Sequence, residues 1–490
     1  MFERNAIRKD PRGKLRVALV YPNRYAAGMA NLGYQMVYDL INSMPHVYAE
    51  RFFTDAERSI ETRSQLREFD LIAFSWQFEA DALNILGMLR RGGIPIHREE
   101  RRQMVLVGGP CAVNPIPLGP FVDAFLIGEA EVGLLPFVER YGELRSKEPE
   151  GYGDLEGFYF PALENRTRRV YAQVLDDYYP ATQVMTPGGA FGEAFLLEVA
   201  RGCGRGCYFC LGGYTFRPKR ERSLEMLEGL VEEGIKANRP QKVVLLGPSV
   251  ADHPRMDELC AFLSGKDVGL SIPSLRADTL TEGIVRALVA KGQRTLTMAP
   301  ESSEGVRCRL NKGLADEEIL GACRLASRHG MRNVKLYIML GCGEAEEDIR
   351  EIAALVEEVK RTGLKVRLSV NPFVPKAHTP LQWSAFEGAT MGKRLKLLRK
   401  TVKGVEMEAE SPREAYVQAA IARGDGGLAP VLARSLDHGG GYSAFRRAAR
   451  EEGIDLERYT GARSLDKPLP WSRIDAGARG LERLYRRFTG

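Results

Sequence analysis

Short apolar runs recur along this chain with polar, helix-length stretches between them, and that alternation restricts the fold more than any other feature. Leu15–Val20, Leu71–Ser75, Met104–Val107 and Asp123–Ile127 form one group, with a weaker candidate at Val47–Phe53. Ala194–Val199, Lys242–Leu246, Val268–Ile272, Thr295–Met298, Val334–Leu340 and Val366–Val370 form a second. Strands separated by helices cannot close as hairpins, so each crosses over and returns parallel. The first group predicts a doubly wound, Rossmann- or flavodoxin-like parallel sheet over residues 1–150. The second has six strands starting 26 to 48 residues apart, with amphipathic stretches such as Leu224–Lys236 and Glu317–His329 between them. It predicts a (β/α)6 partial TIM barrel over residues 190–385. Between the two, residues 151–189 break into aromatic pieces, Gly157–Phe160 and Arg169–Val174, among Pro161, Pro180 and Pro187, and read as a linker containing a β-hairpin. Residues 386–490 read as a small α/β accessory region.

The 490 residues are 44% hydrophobic and 27% charged, which is ordinary for a globular protein and large enough for two or three domains. No apolar run of eighteen residues occurs, and Met1–Asp10 lacks the apolar core of a signal peptide. No membrane span is expected, and a cytoplasmic, reducing location is. Eight cysteines in such a place point to metal or radical chemistry more than to disulfides. The net charge of +6, spread over the whole chain, selects no partner. One local charge run stands out: Lys393–Lys400 is basic and amphipathic, either a solvated helix face or an RNA contact.

Three of the cysteines are crowded into Arg201-Gly-Cys-Gly-Arg-Gly-Cys-Tyr-Phe-Cys210, with Cys203, Cys207 and Cys210 in a C-x3-C-x2-C spacing. Soft thiolates select zinc, copper(I) or iron–sulfur clusters, and a closed zinc site would need a fourth ligand that this stretch lacks. Glycines 202, 204 and 206 let the backbone wrap around a bulky group. Three ligands on a [4Fe-4S] cluster leave one iron open.

With Tyr208 inside the last gap, this stretch resembles the signature of the radical S-adenosylmethionine (SAM) superfamily. The resemblance implies that the open iron chelates SAM and that one electron cleaves it to methionine and a 5′-deoxyadenosyl radical. It also implies SAM contacts at the ends of the barrel strands: Gly247 and Ser249 in Gly247-Pro-Ser249, against a plain turn; Ser274 and Arg276, against helix capping and a salt bridge; Glu301, against a pair with Arg307. Gly341 would admit adenine, with Phe373 and Val374 as its apolar wall, and Lys376 and His378 lie in the same rim segment. Cys342 is the candidate reacting cysteine, as methyl carrier or hydrogen-atom donor, against a buried apolar residue.

The N-terminal third resembles a cobalamin-binding domain at Val107–Pro110 and Val122–Glu131. Its strand ends carry Tyr21–Tyr25, Ser75–Phe78, Gly108–Pro110 and Gly128–Glu131, glycine-rich in part, and would let a planar ligand approach the backbone. No Asp-x-His-x-x-Gly follows the first strand; Asn23–Gly28 stand there instead, so no histidine ligand to cobalt comes from that loop. Cobalamin is weighed against a domain kept for shape, substrate binding or partner contact. Methylthiolation is disfavoured because only Cys111 lies in this domain. The leading expectation is an oxygen-sensitive radical SAM enzyme of methyltransferase type, acting on an unactivated carbon and served by a flavodoxin- or ferredoxin-type electron donor. Its rivals are a cobalamin-free radical modification or rearrangement, with RNA among the candidate substrates, and a non-enzymatic iron–sulfur protein.

Overall fold

A computed structural model describes residues 2–490, which divide into two compact units. One holds the chain up to Glu193 together with Val417–Arg479; the other holds Ala194–Tyr416 and Gly480–Gly490. The expected accessory region at 386–490 is therefore not one piece. Its middle returns to the N-terminal unit and its two ends belong to the barrel.

The first unit is built on β1 (Leu15–Val20), β2 (Val47–Phe52), β3 (Leu71–Ser75), β4 (Met104–Gly108), β5 (Ala124–Leu126) and β6 (Phe158–Tyr159). Their order is β2-β1-β3-β4-β5-β6, parallel except for β6. β2 was the weak candidate because Glu50 and Arg51 interrupt its apolar pattern. Both are buried, Arg51 between Glu61 at 2.6 Å and Glu3 at 2.8 Å, and Glu50 against Arg16 at 2.7 Å, so the charges enter the fold as pairs.

No hairpin forms in 151–189. β6 pairs antiparallel with β5, whereas β7 (Thr167–Arg168) pairs parallel with Ile474–Asp475. Of the two aromatic pieces, Gly157–Phe160 supplies β6, while Arg169–Val174 follows β7 and makes the isolated bridge of Val170 with Gly128. The returning segment is fastened by polar groups as well: Asn114 Nδ2 donates to the carbonyls of Ala422 and Gly424, and Gln418 Nε2 donates to Glu79 at 2.7 Å.

The second unit opens with β8 (Ala194–Glu198), continues through the short antiparallel pair β9 (Ala200–Arg201) and β10 (Arg220–Glu221), then β11 (Lys242–Leu246), β12 (Gly269–Ser271), β13 (Thr295–Glu301), β14 (Asn333–Leu340), β15 (Lys365–Pro372) and β16 (Glu406–Ala409). β12-β11-β8 and β13-β14-β15-β16 are parallel ribbons. The amide of Leu275 donates to Thr297 O at 2.9 Å across the gap between them. All six expected strands form, and β16 adds a seventh on β15. Side chains alternate along β13, where Leu296 and Met298 are buried while Thr297 and Glu301 are half-buried. Period-two alternation of this kind leaves one strand face for packing and the other for a ligand. Helix starts are capped locally, as at Ser223 and Thr281, whose side chains accept from Met226 N and Ile284 N.

Candidate active site

Parallel strands bring their carboxyl ends to one rim, and in the barrel unit that rim gathers the loops after β8, β11, β12, β13, β14 and β15. The loop after β9 carries Cys203, Cys207 and Cys210. Gly202 sits at φ +80°, and a Cβ there would come within 2.3 Å of Phe216 O, so only glycine fits. Gly204 faces open space. Cys207 is buried while Cys203 and Cys210 are half-buried. Arg205 N approaches Cys203 Sγ at 3.5 Å, and Cys210 N donates to Cys207 O at 3.1 Å. The three thiols lie within electrostatic reach of one another, and burial pushes Cys207 up to about 11 and Cys210 upward as well. Among the described residues no three acidic, His or Cys side chains converge as a single ion requires. Three thiols on one open loop, without a fourth ligand in that stretch, suit a cluster with one open iron better than a closed zinc site.

Charged side chains tie the rim loops together. Arg205 pairs with Asp252 at 2.6 Å and with Asp278 at 3.0 Å. Arg276 meets the same Asp278 at 2.9 Å and donates to Lys312 O and Gly313 O, so its guanidinium is committed to the salt bridge that was the alternative reading. Ser274 is exposed. Glu301 ends β13 at φ +70° after a register shift against β14 that begins at Met298. Its partner is Lys312 at 3.1 Å, not Arg307. Arg307 is buried on Asp316 and on the carbonyls of Ser302 and Leu314. Lys312 also lies 5.7 Å from the Phe209 ring, and its charge opposes the upward push on Cys207 and Cys210. Gly247 needs its small size, since a Cβ would stand 3.1 Å from Ala200 O. Ser249 Oγ is buried beside Asp252 without a well-formed hydrogen bond.

On the other side of the rim, Tyr208, Leu310, Cys342 and Phe373 share one buried apolar cluster. Tyr208 N donates to Leu310 O at 2.9 Å. Gly341, at φ +112°, would place a Cβ 3.6 Å from Phe373 Cβ, so the two residues pack side by side at the ends of β14 and β15. Val374 is buried beside Phe373 in sequence. Cys342 is fully enclosed, and burial, followed by the carboxylates of Glu344, Glu387 and Glu301, holds its thiol well above the usual range. His378 is buried at φ +60°, its amide held by Gln382 Oε1 at 2.9 Å, a structural placement.

Two features escaped the sequence reading. Glu344, buried, accepts from Gly341 N at 2.9 Å and from Cys342 N at 3.0 Å, and pairs with Arg394 at 3.2 Å. An acid directly after a Gly-Cys-Gly turn was the available signal. The helix Leu481–Thr489 lays Leu484, Tyr485 and Phe488 on the cluster that contains Tyr208 and Cys342, and Tyr485 stands 5.5 Å from Trp383.

In the first unit, the order 2-1-3-4-5 puts the topological switch point between β1 and β3. Asn23 Nδ2 and Asn84 Nδ2 both donate to Asp81 Oδ1 there, and Phe78 is 42% exposed. The glycines after β4 and β5 do not offer the expected approach. A Cβ on Gly109 would lie 2.6 Å from Trp76 O and one on Gly128 2.1 Å from Val170 O, so the chain's own backbone fills both places. An apolar planar ligand is left the β1/β3 side, where Phe78 supplies an exposed ring.

Residues 33–156 match the family of N-terminal domains of radical SAM proteins, and residues 197–356 match the radical SAM superfamily. An uncharacterised protein of Methanocaldococcus jannaschii is 34% identical over 452 residues, 91% of this chain and 96% of its own. The radical SAM methyltransferase TsrM from Kitasatospora setae, with tryptophan substrate and a SAM analogue bound, matches in structure with a TM-score of 0.55 at 13% identity, over 75% of this chain and 74% of that one. The same enzyme with cobalamin and a [4Fe-4S] cluster bound gives 0.52 at 14% identity, over 73% and 72%. Among the described residues no helix is long and apolar enough to cross a membrane.

Proposed function

Since this chain belongs to the radical SAM superfamily, we propose that it is an enzyme that methylates an unactivated carbon, with Cys203, Cys207 and Cys210 as ligands of a [4Fe-4S] cluster, and with SAM and cobalamin as its other cofactors. The observation that carries the reading is the single rim on which the three-cysteine loop, the Gly341–Phe373 slot and the Glu301–Lys312 pair come together. When bound, the cluster supplies the electron that cleaves SAM to methionine and a 5′-deoxyadenosyl radical. Gly341 and Phe373, side by side at the ends of β14 and β15, offer the adenine a glycine backbone and an apolar edge. Glu301, balanced by Lys312, is placed to accept from ribose hydroxyls, and Ser249 offers its unsatisfied hydroxyl at the same rim. The apolar cluster of Tyr208, Leu310, Phe373 and Cys342, covered by Leu484 and Phe488, keeps water from that side of the site. Cys342 stays a protonated thiol at neutral pH; hydrogen-atom donation from it belongs to the cobalamin-free reading, since quenching a substrate radical competes with methyl transfer.

Cobalamin, the methyl carrier when bound, would use the β1/β3 switch point with Phe78 as its apolar contact. The second reading, a cobalamin-free radical modification, draws on the filled glycine positions at 109 and 128 and on the absence of a histidine after β1. The electron comes from a flavodoxin- or ferredoxin-type donor in a cytoplasmic setting.

The test is anaerobic reconstitution with iron, sulfide and hydroxocobalamin, gel filtration, and assay for 5′-deoxyadenosine after adding SAM and reductant. Cobalamin co-eluting at about one per chain with deoxyadenosine release supports methyl transfer. Release without retained cobalamin moves the reading to the cobalamin-free reaction, and a cluster with no release makes the protein a non-enzymatic iron–sulfur protein.

A further inference from the structure

The helix Gly388–Thr401 follows β15 and returns along the outside of the barrel unit. Met391, Leu395 and Leu398 are its buried stripe. Its opposite face carries Lys393, Lys396, Arg399 and Lys400, all exposed, followed at once by exposed Lys403. Among the described residues, no ion pair or side-chain hydrogen bond holds any of these five cations. The neighbouring helix Glu346–Arg361 is built differently: Arg350, Lys360 and Arg361 each pair with a carboxylate three or four residues away. The helix at 388–401 contains no acidic residue. Its charges stand at like-sign spacings of three and four, as in Lys393–Lys396, Lys396–Arg399 and Lys396–Lys400. Each such pair costs a helix about 0.2–0.5 kcal/mol in isolation, which a merely solvated face would avoid by interleaving glutamates as its neighbour does.

The stripe also starts at the rim. Arg394, on the same helix, turns inward to Glu344 and Glu387, and Glu344 holds the Gly341–Cys342 turn. Phe386, half-buried just before the helix and edge-on to Tyr416 at 6.2 Å, adds an aromatic ring at that end. A helix rises about 1.5 Å per residue, so the four helical cations form a row about 10 Å long leading away from the site, with Lys403 just past the helix end.

We propose that this row binds the phosphodiester backbone of a nucleic acid and that the substrate of the rim is a nucleotide within that strand. The assignment rests on the reading of the rim as a radical SAM site. A regular row of unpaired cations with an aromatic ring at one end matches a repeating phosphate chain with stackable bases; an acidic protein offers neither a regular repeat nor a base.

The test measures binding of the reconstituted full-length protein to a fluorescein-labelled single-stranded RNA 20-mer and to the DNA of the same sequence, by anisotropy across salt. Five contacts predict a slope of about −3.5 in log affinity against log salt, or about a 100-fold loss from 50 to 200 mM. The triple variant Lys393→Gln, Lys396→Gln, Lys400→Gln alters only exposed side chains, and its slope should fall to about −1.4, about a 7-fold loss over the same range. RNA bound more tightly than DNA assigns an RNA substrate, and the reverse order a DNA one. No binding at 50 mM salt, or a triple variant indistinguishable from the parent, overturns the proposal. So does an acidic electron-donor protein that binds through these lysines when neither nucleic acid does. Deoxyadenosine release by the unsubstituted protein, assayed both with and without the bound strand, is scored separately. Its absence alongside tight RNA binding would sink the reading of the rim and leave the row standing, and its presence without binding would do the reverse.

Discussion

Replacing Glu344 by Ala isolates what holds the loop after β14 in shape. The carboxylate is buried and accepts from Gly341 N and Cys342 N, while Arg394 balances its charge at 3.2 Å. Removing it leaves two buried amides unsatisfied, each costing about 1–3 kcal/mol. Arg394 keeps Glu387 as a partner, so the full cost of breaking a buried ion pair does not apply. The sum is about 2–6 kcal/mol, which for a unit of this size lowers its melting temperature by about 4–24 °C. Glu344→Gln keeps a carbonyl acceptor for one amide and should cost about half as much. Calorimetry of the full chain gives the stability change, and equilibrium dialysis of SAM gives the functional one. SAM affinity should fall in both variants, because Gly341 at φ +112° then loses the anchor that keeps it facing Phe373. A loss below about 1 kcal/mol for Glu344→Ala, or unchanged SAM affinity in a folded variant, would refute the argument that this buried acid shapes the slot.

Cys203→Ala should leave the chain folded with its iron content and visible absorbance lost, and without deoxyadenosine release; retained release would show that another ligand set holds the cluster. If Cys342 is the hydrogen donor of a cobalamin-free reaction, Cys342→Ala should abolish the quenched product while SAM cleavage continues; in the parent protein iodoacetamide should label exposed Cys308 long before buried Cys342. Asp81 is pushed up to about 6, chiefly by burial, from an ordinary 3.8, with Asn84 and Asn23 opposing and Glu79 adding to the rise. The folded state then binds the extra proton between those two values, so stability falls as pH rises through that window and stays lower above it. Asp81→Asn, whose amide oxygen can still accept from both asparagines, should stabilise the protein at pH 7.5 by roughly 2 kcal/mol and leave it unchanged near pH 4, by denaturant titration at each pH. Equal effects at both pH values would count against a buried, raised carboxyl.

Most of the architecture was legible in the sequence, because parallel strands buried on both faces need continuous apolar runs and their crossovers need amphipathic helices. The loop that carries Cys203, Cys207 and Cys210 was legible for a related reason: its C-x3-C-x2-C spacing is local and survives any arrangement of the rest. β2 was weaker because Glu50 and Arg51 satisfy each other's requirements only through Arg16, Glu61 and Glu3, which lie up to 48 residues away.

Whatever depends on a partner distant in the chain was decided by the tertiary structure alone. Glu301 chose Lys312 over Arg307 because the register shift in β13 turns it, while Arg307 is drawn to Asp316 and two carbonyls. β6 and β7 went to different edges because each gained a full backbone partner there, and residues 417–479 returned to the first unit, fastened through Asn114 and Glu79. Sequence periodicity states which face of an element is buried; it carries no record of which other face buries it, since hydrophobic contact is non-directional and ion pairs close only where the folded backbone brings them within reach.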